Sequence, residues 1–236
     1  MIPVAEIFGP TIQGEGPNSG KKCIFVRVVG CDFKCEWCDS KFAWQKDETT
    51  KYYIDIDLVN DLLDKCKNTN TNQIILTGGN PCLYNFEKVI DILHQQNILV
   101  DIETQGSLFP NWIEKVDTLV ISPKAPSSKQ PDVYDNIREY VYKHKEQNIS
   151  IKIPVFNNED FEFAIRYYHL VNDSRRENLK LYINVGNDNV NEQGDISQRL
   201  LLNYAKLIEK VCISDMSNVY VMPQLHTLVW CNKQGV

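Results

Sequence analysis

The sequence contains no apolar stretch that approaches the roughly 18 residues required by a membrane-spanning helix. It also lacks an excess of positive charge, because 25 Lys and Arg residues are outnumbered by 31 Asp and Glu residues and the net charge is −6. This balance argues against direct binding of nucleic acid, so any link to RNA would be metabolic. With 43% hydrophobic and 24% charged residues, the composition is that of an ordinary globular protein and excludes a disordered chain.

The first residues, Met1-Ile2-Pro3-Val4-Ala5-Glu6, carry neither the basic nor the apolar segment of a signal peptide. We therefore expect a cytoplasmic protein whose eight cysteines stay reduced rather than forming a disulfide framework. No linker, internal repeat or low-complexity segment interrupts the chain. Its length suits one α/β unit, so we expect residues 1–236 to form a single domain.

Apolar, β-branched segments alternate with segments of helical periodicity along the chain. The pattern predicts strands at 24–29, 73–77, 98–103, 117–121, 149–155, 179–185 and 218–222, and helices near 55–68, 85–96, 134–147, 158–171 and 196–212. Such alternation is typical of an α/β fold in which crossovers join the strands of a parallel sheet. A complete or partial barrel is the leading architecture, and an open doubly wound sheet is second.

Three cysteines, Cys31, Cys35 and Cys38, form a C-x₃-C-x₂-C run directly after the first predicted strand. Three thiolates without a fourth would leave one iron of a four-iron cluster with an open position, which suits a cluster that binds a small molecule. Structural zinc normally takes four ligands, and no second cysteine pair lies at a useful spacing. The remaining cysteines are explained most simply as small buried side chains: Cys23, Cys66, Cys82, Cys212 and Cys231.

Small and polar residues follow three further predicted strands. They form the segments Thr77-Gly78-Gly79-Asn80-Pro81, Glu103-Thr104-Gln105-Gly106 and Ser122-Pro123-Lys124. In parallel α/β folds ligands gather at the carboxyl ends of strands, so we expect these segments and the cysteine run to line one site. Each segment taken alone is also compatible with an ordinary strand-to-helix turn.

The cysteine run, with Trp37 before its last cysteine, resembles the radical S-adenosylmethionine (SAM) superfamily. The resemblance implies a 4Fe-4S cluster on Cys31, Cys35 and Cys38 whose open iron binds SAM, so that one electron releases a 5′-deoxyadenosyl radical. The Gly78-Gly79-Asn80 segment is similar to the superfamily's GGE motif, with Asn80 in place of the usual glutamate. The resemblance places SAM against Trp37, Cys38, Asp39, Gly79, Asn80, Glu103, Gln105, Ser122, Pro123 and Lys124.

Other segments resemble the family of 7-carboxy-7-deazaguanine synthases: Glu6-Ile7-Phe8, Thr11-Ile12-Gln13-Gly14-Glu15-Gly16, Phe25-Val26-Arg27, Cys38-Asp39-Ser40 and Pro223-Gln224-Leu225-His226-Thr227. This resemblance implies a partial (β/α) barrel of the radical SAM type. It implies a lyase that converts 6-carboxy-5,6,7,8-tetrahydropterin to 7-carboxy-7-deazaguanine with loss of ammonia, in 7-deazapurine (queuosine) biosynthesis. A homodimer and a flavodoxin or ferredoxin reductant are expected from the same family.

The expected pterin site combines the resemblance with the chemistry of the residues. It comprises Ile12, Gln13, Gly14, Glu15, Arg27, Thr77, Gln224, His226 and, through its C-terminal carboxylate, Val236. Arg27 lies inside an apolar strand, where an unpaired charge is costly, so we expect it to bind the substrate carboxylate. Ser40 stands where the family commonly has threonine and is expected to bind Mg²⁺, with a turn cap as the alternative. A capping role is likewise the alternative for His226.

Two other functions remain open at this point. A radical SAM activase that generates a glycyl radical on a partner protein shares the cysteine spacing, but it gives no reason for Gln13-Gly14-Glu15-Gly16. The second is a non-catalytic iron–sulfur or zinc module, in which the open coordination position would have no function.

The cysteine assignment predicts that a Cys35→Ala variant loses both the cluster and reductive cleavage of SAM. Anaerobic reconstitution with iron and sulfide, followed by iron analysis and detection of 5′-deoxyadenosine, measures both losses. A Cys212→Ala variant is the matched control and should hold about four irons per chain. Activity retained by Cys35→Ala would overturn the ligand assignment.

Overall fold

Seven parallel strands follow one another in chain order across a single sheet in the computed structural model, which describes residues 1–233 and 235. The nine strands within these residues are β1 Ile2–Ile12, β2 Lys22–Val28, β3 Lys51–Tyr53, β4 Gln73–Gly78, β5 Leu99–Thr104, β6 Thr118–Ile121, β7 Ile149–Val155, β8 Leu179–Val185 and β9 Val219–Met222. The helices are α1 Asp55–Thr69, α2 Glu87–Gln95, α3 Tyr134–Lys143, α4 Asn158–Ser174, α5 Ser197–Cys212 and α6 Leu225–Trp230.

The strand order across the sheet is β3-β1-β2-β4-β5-β6-β7-β8-β9. From β2 to β9 all neighbours pair in parallel, whereas β1 is antiparallel to both β2 and β3. A doubly wound sheet would reverse its order at a switch point, and the strands described here do not. The prediction of a partial (β/α) barrel is therefore confirmed, with β3 and β9 as the open edges.

The two faces of the sheet differ in chemistry because successive side chains of a strand point to opposite sides. In β5, Val100 and Ile102 are fully buried and belong to the main apolar core, which also contains the buried helix side chains. Asp101 and Glu103 alternate with them and face the inner side of the barrel. In β7 the same alternation places Lys152 on that inner side. The apolar face holds the fold together, and the polar face is left for a site.

Helices α1 to α5 cover the outer face. Helix α1 shows how: Leu58, Val59, Leu62 and Cys66 are buried at helical spacing against the sheet, and the opposite side of the helix is exposed. The helix ends where Asn70 takes a left-handed backbone conformation, with φ of 50°, and its N–H bonds the last carbonyls. None of the helices in the described residues is both long and apolar enough to traverse a bilayer.

Strand β1 was not predicted from the sequence. It contains Gly9-Pro10, a pair that normally interrupts a strand, and its pairing with β2 shifts register between Val4 and Glu6 and again between Phe8 and Thr11. Its side chains therefore lack the regular alternation that identifies a strand. Helix α3 also ends earlier than predicted, at Lys143 rather than at 147.

The segment that follows β1 crosses the inner face of the barrel. It is closed by a hydrogen bond from Gln13 N to Lys21 O (2.8 Å), and the Asn18 side chain donates to Asp101 on β5 (2.5 Å). Gly16 lies near Lys152 of β7. This crossing segment, residues 13–21, thus spans from the antiparallel edge to the middle of the parallel sheet.

Gly79 joins the end of β4 to the cysteine loop and has no room for a side chain. A Cβ there would lie 1.9 Å from the carbonyl oxygen of Gly30, and Asn80 N already donates to that oxygen at 2.8 Å. We expect Gly79→Ala to separate the two loops, to destabilise the fold by about 1–3 kcal/mol and to lower the iron bound after reconstitution. Denaturant unfolding and iron analysis measure the two effects.

The control is Gly194→Ala. Gly194 has a φ of +88° but no heavy atom within 4 Å of an added Cβ, so this variant carries backbone strain of about 1–2 kcal/mol without a steric clash. It should bind the full complement of iron. Full iron in Gly79→Ala as well would show that the close contact is unimportant for the loop.

Candidate active site

A cavity of about 290 Å³ opens where the carboxyl ends of the parallel strands meet the crossing segment. All but three of the residues predicted for the site line it: Ile12, Gln13, Gly14, Glu15, Arg27, Cys31, Cys35, Trp37, Cys38, Asp39, Ser40, Thr77, Gly79, Glu103, Gln105, Ser122, Lys124, Gln224 and His226. The fold thus brings together residues that lie more than 200 positions apart in sequence.

The three predicted residues that do not line the cavity are absent from its wall for different reasons. Val236 lies outside the described residues, and Pro123 is not part of the cavity wall. Asn80 is fully buried, and its amide is saturated by protein partners: it donates to Asp32 (2.9 Å) and Ser107 (3.2 Å) and accepts from Cys82 N and Thr104 Oγ1. The Asn80 side chain therefore braces the glycine turn against the cysteine loop, and the contact of this turn with SAM stays a prediction for its backbone atoms.

The cysteine loop begins after β2 and presents its thiols to the cavity. The Cys31 sulfur accepts hydrogen bonds from Phe33 N (3.4 Å) and Gln105 Nε2 (3.8 Å), and the Cys38 sulfur accepts one from Ser40 N (3.4 Å). N–H donors of this kind stabilise thiolates and the sulfur ligands of clusters. The loop therefore fits an iron–sulfur cluster.

Within the described residues, no three His, Cys, Asp or Glu side chains are grouped closely enough to hold a single metal ion. An iron–sulfur cluster does not need such convergence, because each thiolate binds a different iron atom. All three cysteines, however, line one cavity without a disulfide.

Burial raises the pKa of all three thiols, that of Cys35 to about 11, and the ammonium of Lys124 opposes the shift. The metal-free protein therefore carries thiols at neutral pH, and cluster binding must displace their protons. Lys124 is held beside the loop by a hydrogen bond to Ser122 Oγ (3.1 Å) and lies 5.7 Å from the centre of the Trp37 ring.

Trp37 and Phe156 form an aromatic wall beside the cysteines. Their ring centres are 4.7 Å apart, and the indole N–H of Trp37 donates to Ser127 Oγ (2.9 Å). Because the indole is fixed at its polar edge, its face is available for a planar ligand.

Arg27 is largely shielded from solvent, and its charge is paired within the protein. It donates through Nε to Glu6 (2.8 Å) and through Nη1 to Ser40 Oγ (2.7 Å), and its guanidinium carbon lies 5.4 Å from the centre of the Phe8 ring. Ser40 in turn donates to Asp39 Oδ1 (2.9 Å). Ser40 occupies the N-terminal cap position of the short turn 41–43, and Ala43 N donates to its carbonyl (2.9 Å), but its side chain makes no capping bond. One cation and two oxygen-bearing side chains therefore meet at one edge of the cavity.

A buried ion cluster forms the floor. Lys152 donates to Glu15 Oε2 (2.5 Å) and to Glu103 Oε1 (3.1 Å), and its side chain is only 8% exposed. Glu103 also accepts from Gln13 Nε2 and Thr77 Oγ1, each at 3.1 Å. The crossing segment is thereby tied to β4, β5 and β7 through one lysine and two carboxylates.

Glu15 is held ionised although it is buried. Burial alone would raise its pKa, but the charges of Lys152 and His226 and the hydrogen bonds from Lys152 and Gln224 (2.6 Å) outweigh it and lower the pKa to about 2. Burial would likewise lower the pKa of Lys152, and the two carboxylates raise it instead. Glu15 and Lys152 are thus both charged at neutral pH.

The C-terminal segment closes the cavity from the far side. Leu225 N donates to Gly14 O (3.0 Å), and a Cβ on Gly14 would lie 2.3 Å from His226 Nδ1, so only glycine fits there. This contact places Gln224 and His226 against the crossing segment. Gly14, Gln224 and His226 were predicted for the site from the sequence, whereas Leu225 was not.

Sequence reasoning missed several residues of the cavity wall, including Lys152, Phe156, Asn184 and Asn187. Lys152 could have been found, because it stands within the buried apolar strand β7 just as Arg27 stands within β2. Asn184 and Phe156 gave no such signal, since a polar or aromatic residue at the end of a strand is common.

We expect Lys152→Met to destabilise the protein by about 3–5 kcal/mol at pH 8, because two buried carboxylates lose their counter-ion. Without Lys152, burial raises the pKa of Glu15 in the folded state above its unfolded value. The resulting penalty is present at high pH and disappears below that unfolded value, so the gap to the parent protein should narrow at pH 5. Urea unfolding at both pH values measures it.

The matched control is Lys180→Met, which removes an exposed lysine from the neighbouring strand β8. Its effect should stay within about 0.5 kcal/mol and should not vary between the two pH values. An equal, pH-independent loss in both variants would show that the buried ion cluster is unimportant for stability.

The chain was compared with known families and proteins. A sequence model described as the radical SAM superfamily matches residues 25–151, which is more than half of the chain. The chain is 39% identical to a 7-carboxy-7-deazaguanine synthase from Bacillus cereus over its whole length and 99% of that relative. It is also 39% identical to the enzyme of the same name from Bacillus subtilis, covering 98% of it.

Solved structures agree at the level of the fold. The crystal structure of QueE from Escherichia coli superposes with a TM-score of 0.67 over 95% of this chain and 94% of that one, at 24% identity. Streptococcus suis SuiB bound to its precursor peptide SuiA superposes with a TM-score of 0.61 over 87% of this chain and 49% of that one, at 13% identity. Together with the cysteine loop and the sequence matches, this likeness shows that the chain belongs to the 7-carboxy-7-deazaguanine synthase family of the radical SAM superfamily.

Proposed function

We propose that this protein is a radical SAM lyase that converts 6-carboxy-5,6,7,8-tetrahydropterin to 7-carboxy-7-deazaguanine with loss of ammonia, in the biosynthesis of 7-deazapurines such as queuosine. The observation that carries the proposal is the ionised, buried Glu15 beneath the same cavity that the three cysteines line. A fixed carboxylate suits the N–H groups of a pterin, and the cysteine loop suits the cluster that starts radical chemistry.

The cofactor side of the cavity is assigned to a 4Fe-4S cluster on Cys31, Cys35 and Cys38 together with SAM. When bound, these groups supply a 5′-deoxyadenosyl radical. Trp37 offers its face to a planar base, and Gln105, Ser122 and Lys124 offer donors around the loop. Because Asn80 is saturated within the protein, backbone atoms at Gly78 and Gly79 carry the contact that a glutamate makes elsewhere in the superfamily.

The substrate side is assigned to the floor and the Arg27 edge. Glu15 accepts hydrogen bonds from the pterin ring, and the Gln13 amide donates one to it. Ile12 and Thr77 lie beside these two residues. The Arg27 guanidinium lines the cavity next to Ser40 and Asp39, which suits the pterin carboxylate, and Ser40 would be the residue that holds Mg²⁺. Since Ser40 Oγ already bonds both neighbours, we propose that Mg²⁺ binds more weakly here than it would to a free hydroxyl.

The remaining assignments rest on family membership. We propose a single domain over residues 1–236, a homodimer, a flavodoxin or ferredoxin as the reductant, a cytoplasmic location and no direct contact with nucleic acid. The net charge of −6 supports the last of these. The C-terminal carboxylate of Val236 is proposed as an additional substrate ligand.

The activase alternative is less well supported. An activase must admit a segment of a partner protein to the radical, whereas here the crossing segment and the residues from Gln224 to Thr227 cover the cavity on the side away from the cysteines. That cover is made of groups suited to a small polar ring. The relatives that match along the whole chain are also named as synthases rather than as activases.

The test is anaerobic. Reconstituted protein is reduced with dithionite in the presence of SAM and 6-carboxy-5,6,7,8-tetrahydropterin, and we expect 7-carboxy-7-deazaguanine by mass spectrometry with one ammonia per product. SAM should be regenerated, so that product exceeds 5′-deoxyadenosine. The Cys35→Ala variant is the control for chemistry that does not need the cluster.

An intact, reducible cluster that cleaves SAM but forms no deazapurine would reject the proposed function. Transfer of the radical to a protein, seen as a glycyl signal in electron paramagnetic resonance, would instead support the activase.

A further inference from the structure

Asn184 is the most unusual polar residue of the cavity wall. It lies near the carboxyl end of β8, is only 1% exposed and lines the cavity, yet neither its Oδ1 nor its Nδ2 has a hydrogen-bond partner among the described residues. A buried amide without partners is costly in a folded protein, and such groups are retained where a ligand completes their bonding. The fold does not need this amide, so its partner is expected to come from outside the chain.

A second unpartnered group lies on the neighbouring strand end. Asn184 pairs in register with Met222 of β9, and Gln224 follows two residues later. Gln224 donates through Nε2 to Glu15 (2.6 Å), which leaves its buried Oε1 without a partner. The amide of Asn184, the oxygen of Gln224 and the carboxylate of Glu15 therefore all border the same cavity, on neighbouring strand ends and the crossing segment.

The chemistry of these groups defines a ligand. An amide offers one donor and one acceptor side by side, so it is complementary to a lactam edge, in which a carbonyl lies next to an N–H. Gln224 Oε1 and the ionised Glu15 add acceptors, which call for further N–H donors beside that lactam. A 2-aminopyrimidin-4-one ring provides this sequence of carbonyl, ring N–H and amino group.

We propose that Asn184 binds the lactam edge of the pterin, donating to the ring carbonyl and accepting from the adjacent N–H. The assignment rests on the proposed function and adds to it a residue that orients the substrate. The adenine of SAM also offers a donor next to an acceptor, but once one N–H of its amino group bonds Asn184, a single N–H is left for the two acceptors of Gln224 and Glu15.

The test compares two ligands on cluster-loaded, SAM-bound protein without a reductant. The probes are 6-carboxypterin and its 4-deoxy analogue, which lacks the ring carbonyl and therefore also the adjacent ring N–H. Calorimetric titration should show that the parent protein prefers 6-carboxypterin by at least about tenfold. In Asn184→Leu, affinity for 6-carboxypterin should fall roughly 10- to 100-fold and the preference should largely disappear.

Asn184→Asp is the second variant, because it keeps the shape of the side chain and replaces the donor with a second acceptor. It should bind 6-carboxypterin no better than Asn184→Leu does, because its second oxygen opposes the ring carbonyl, a loss that a purely structural role of this isosteric change would not produce. Asn178→Asp is the matched control at the opposite end of β8, where the amide bonds two backbone carbonyls, and it should keep the parent preference. Circular dichroism and iron content verify that each variant is folded.

The outcomes distinguish failure of the Asn184 assignment from failure of the proposed function. Tight, selective binding of 6-carboxypterin by both the parent and Asn184→Leu would overturn the role of Asn184 and leave the proposed function standing. Loss of SAM affinity in Asn184→Leu with pterin binding intact would assign the amide to adenine instead. A parent protein that binds neither pterin would reject both the ligand and the function.

Discussion

The buried bridge from Lys152 to Glu15 and Glu103 is the interaction on which the site depends. It ties the segment after β1 to the middle of the parallel sheet, and its lysine keeps Glu15 charged in an interior that would otherwise raise the pKa of that carboxyl. A closed (β/α) barrel has eight parallel strands and the described residues form seven, so the barrel stays open, and this ion cluster holds the crossing segment across its inner face. The same ion cluster therefore both places charge on the floor of the cavity and fixes the segment that closes it.

The parts of the fold that could be predicted are those governed by periodicity. Helix α4 and strands such as β7 and β8 repeat their apolar residues at the spacing of their own geometry, so the sequence alone located them. Strand β1 escaped because its register shifts and its Gly9-Pro10 pair remove that periodicity. Local pattern thus predicts elements, whereas irregular pairing is decided by partners that lie elsewhere in the chain.

The same limit applies to the site. The cysteine loop and the segment from Gln13 to Glu15 carry motifs, so their residues were predicted and line the cavity. The role of the Asn80 side chain could not be predicted from its motif, because its amide faces Asp32 and Thr104, neighbours that only the folded loops bring together. Which side of a turn a side chain occupies depends on tertiary packing, and a motif does not record it.

The hydrogen bond between Gln224 and Glu15 joins residues 209 positions apart. Contacts of such sequence separation form late, because the intervening chain must first be ordered. During synthesis, which proceeds from the N-terminus, the cysteines and the residues of the floor emerge long before the segment that covers them. The pocket therefore cannot mature until nearly the whole polypeptide has left the ribosome, and a nascent chain exposes its cluster ligands while the substrate pocket is still incomplete.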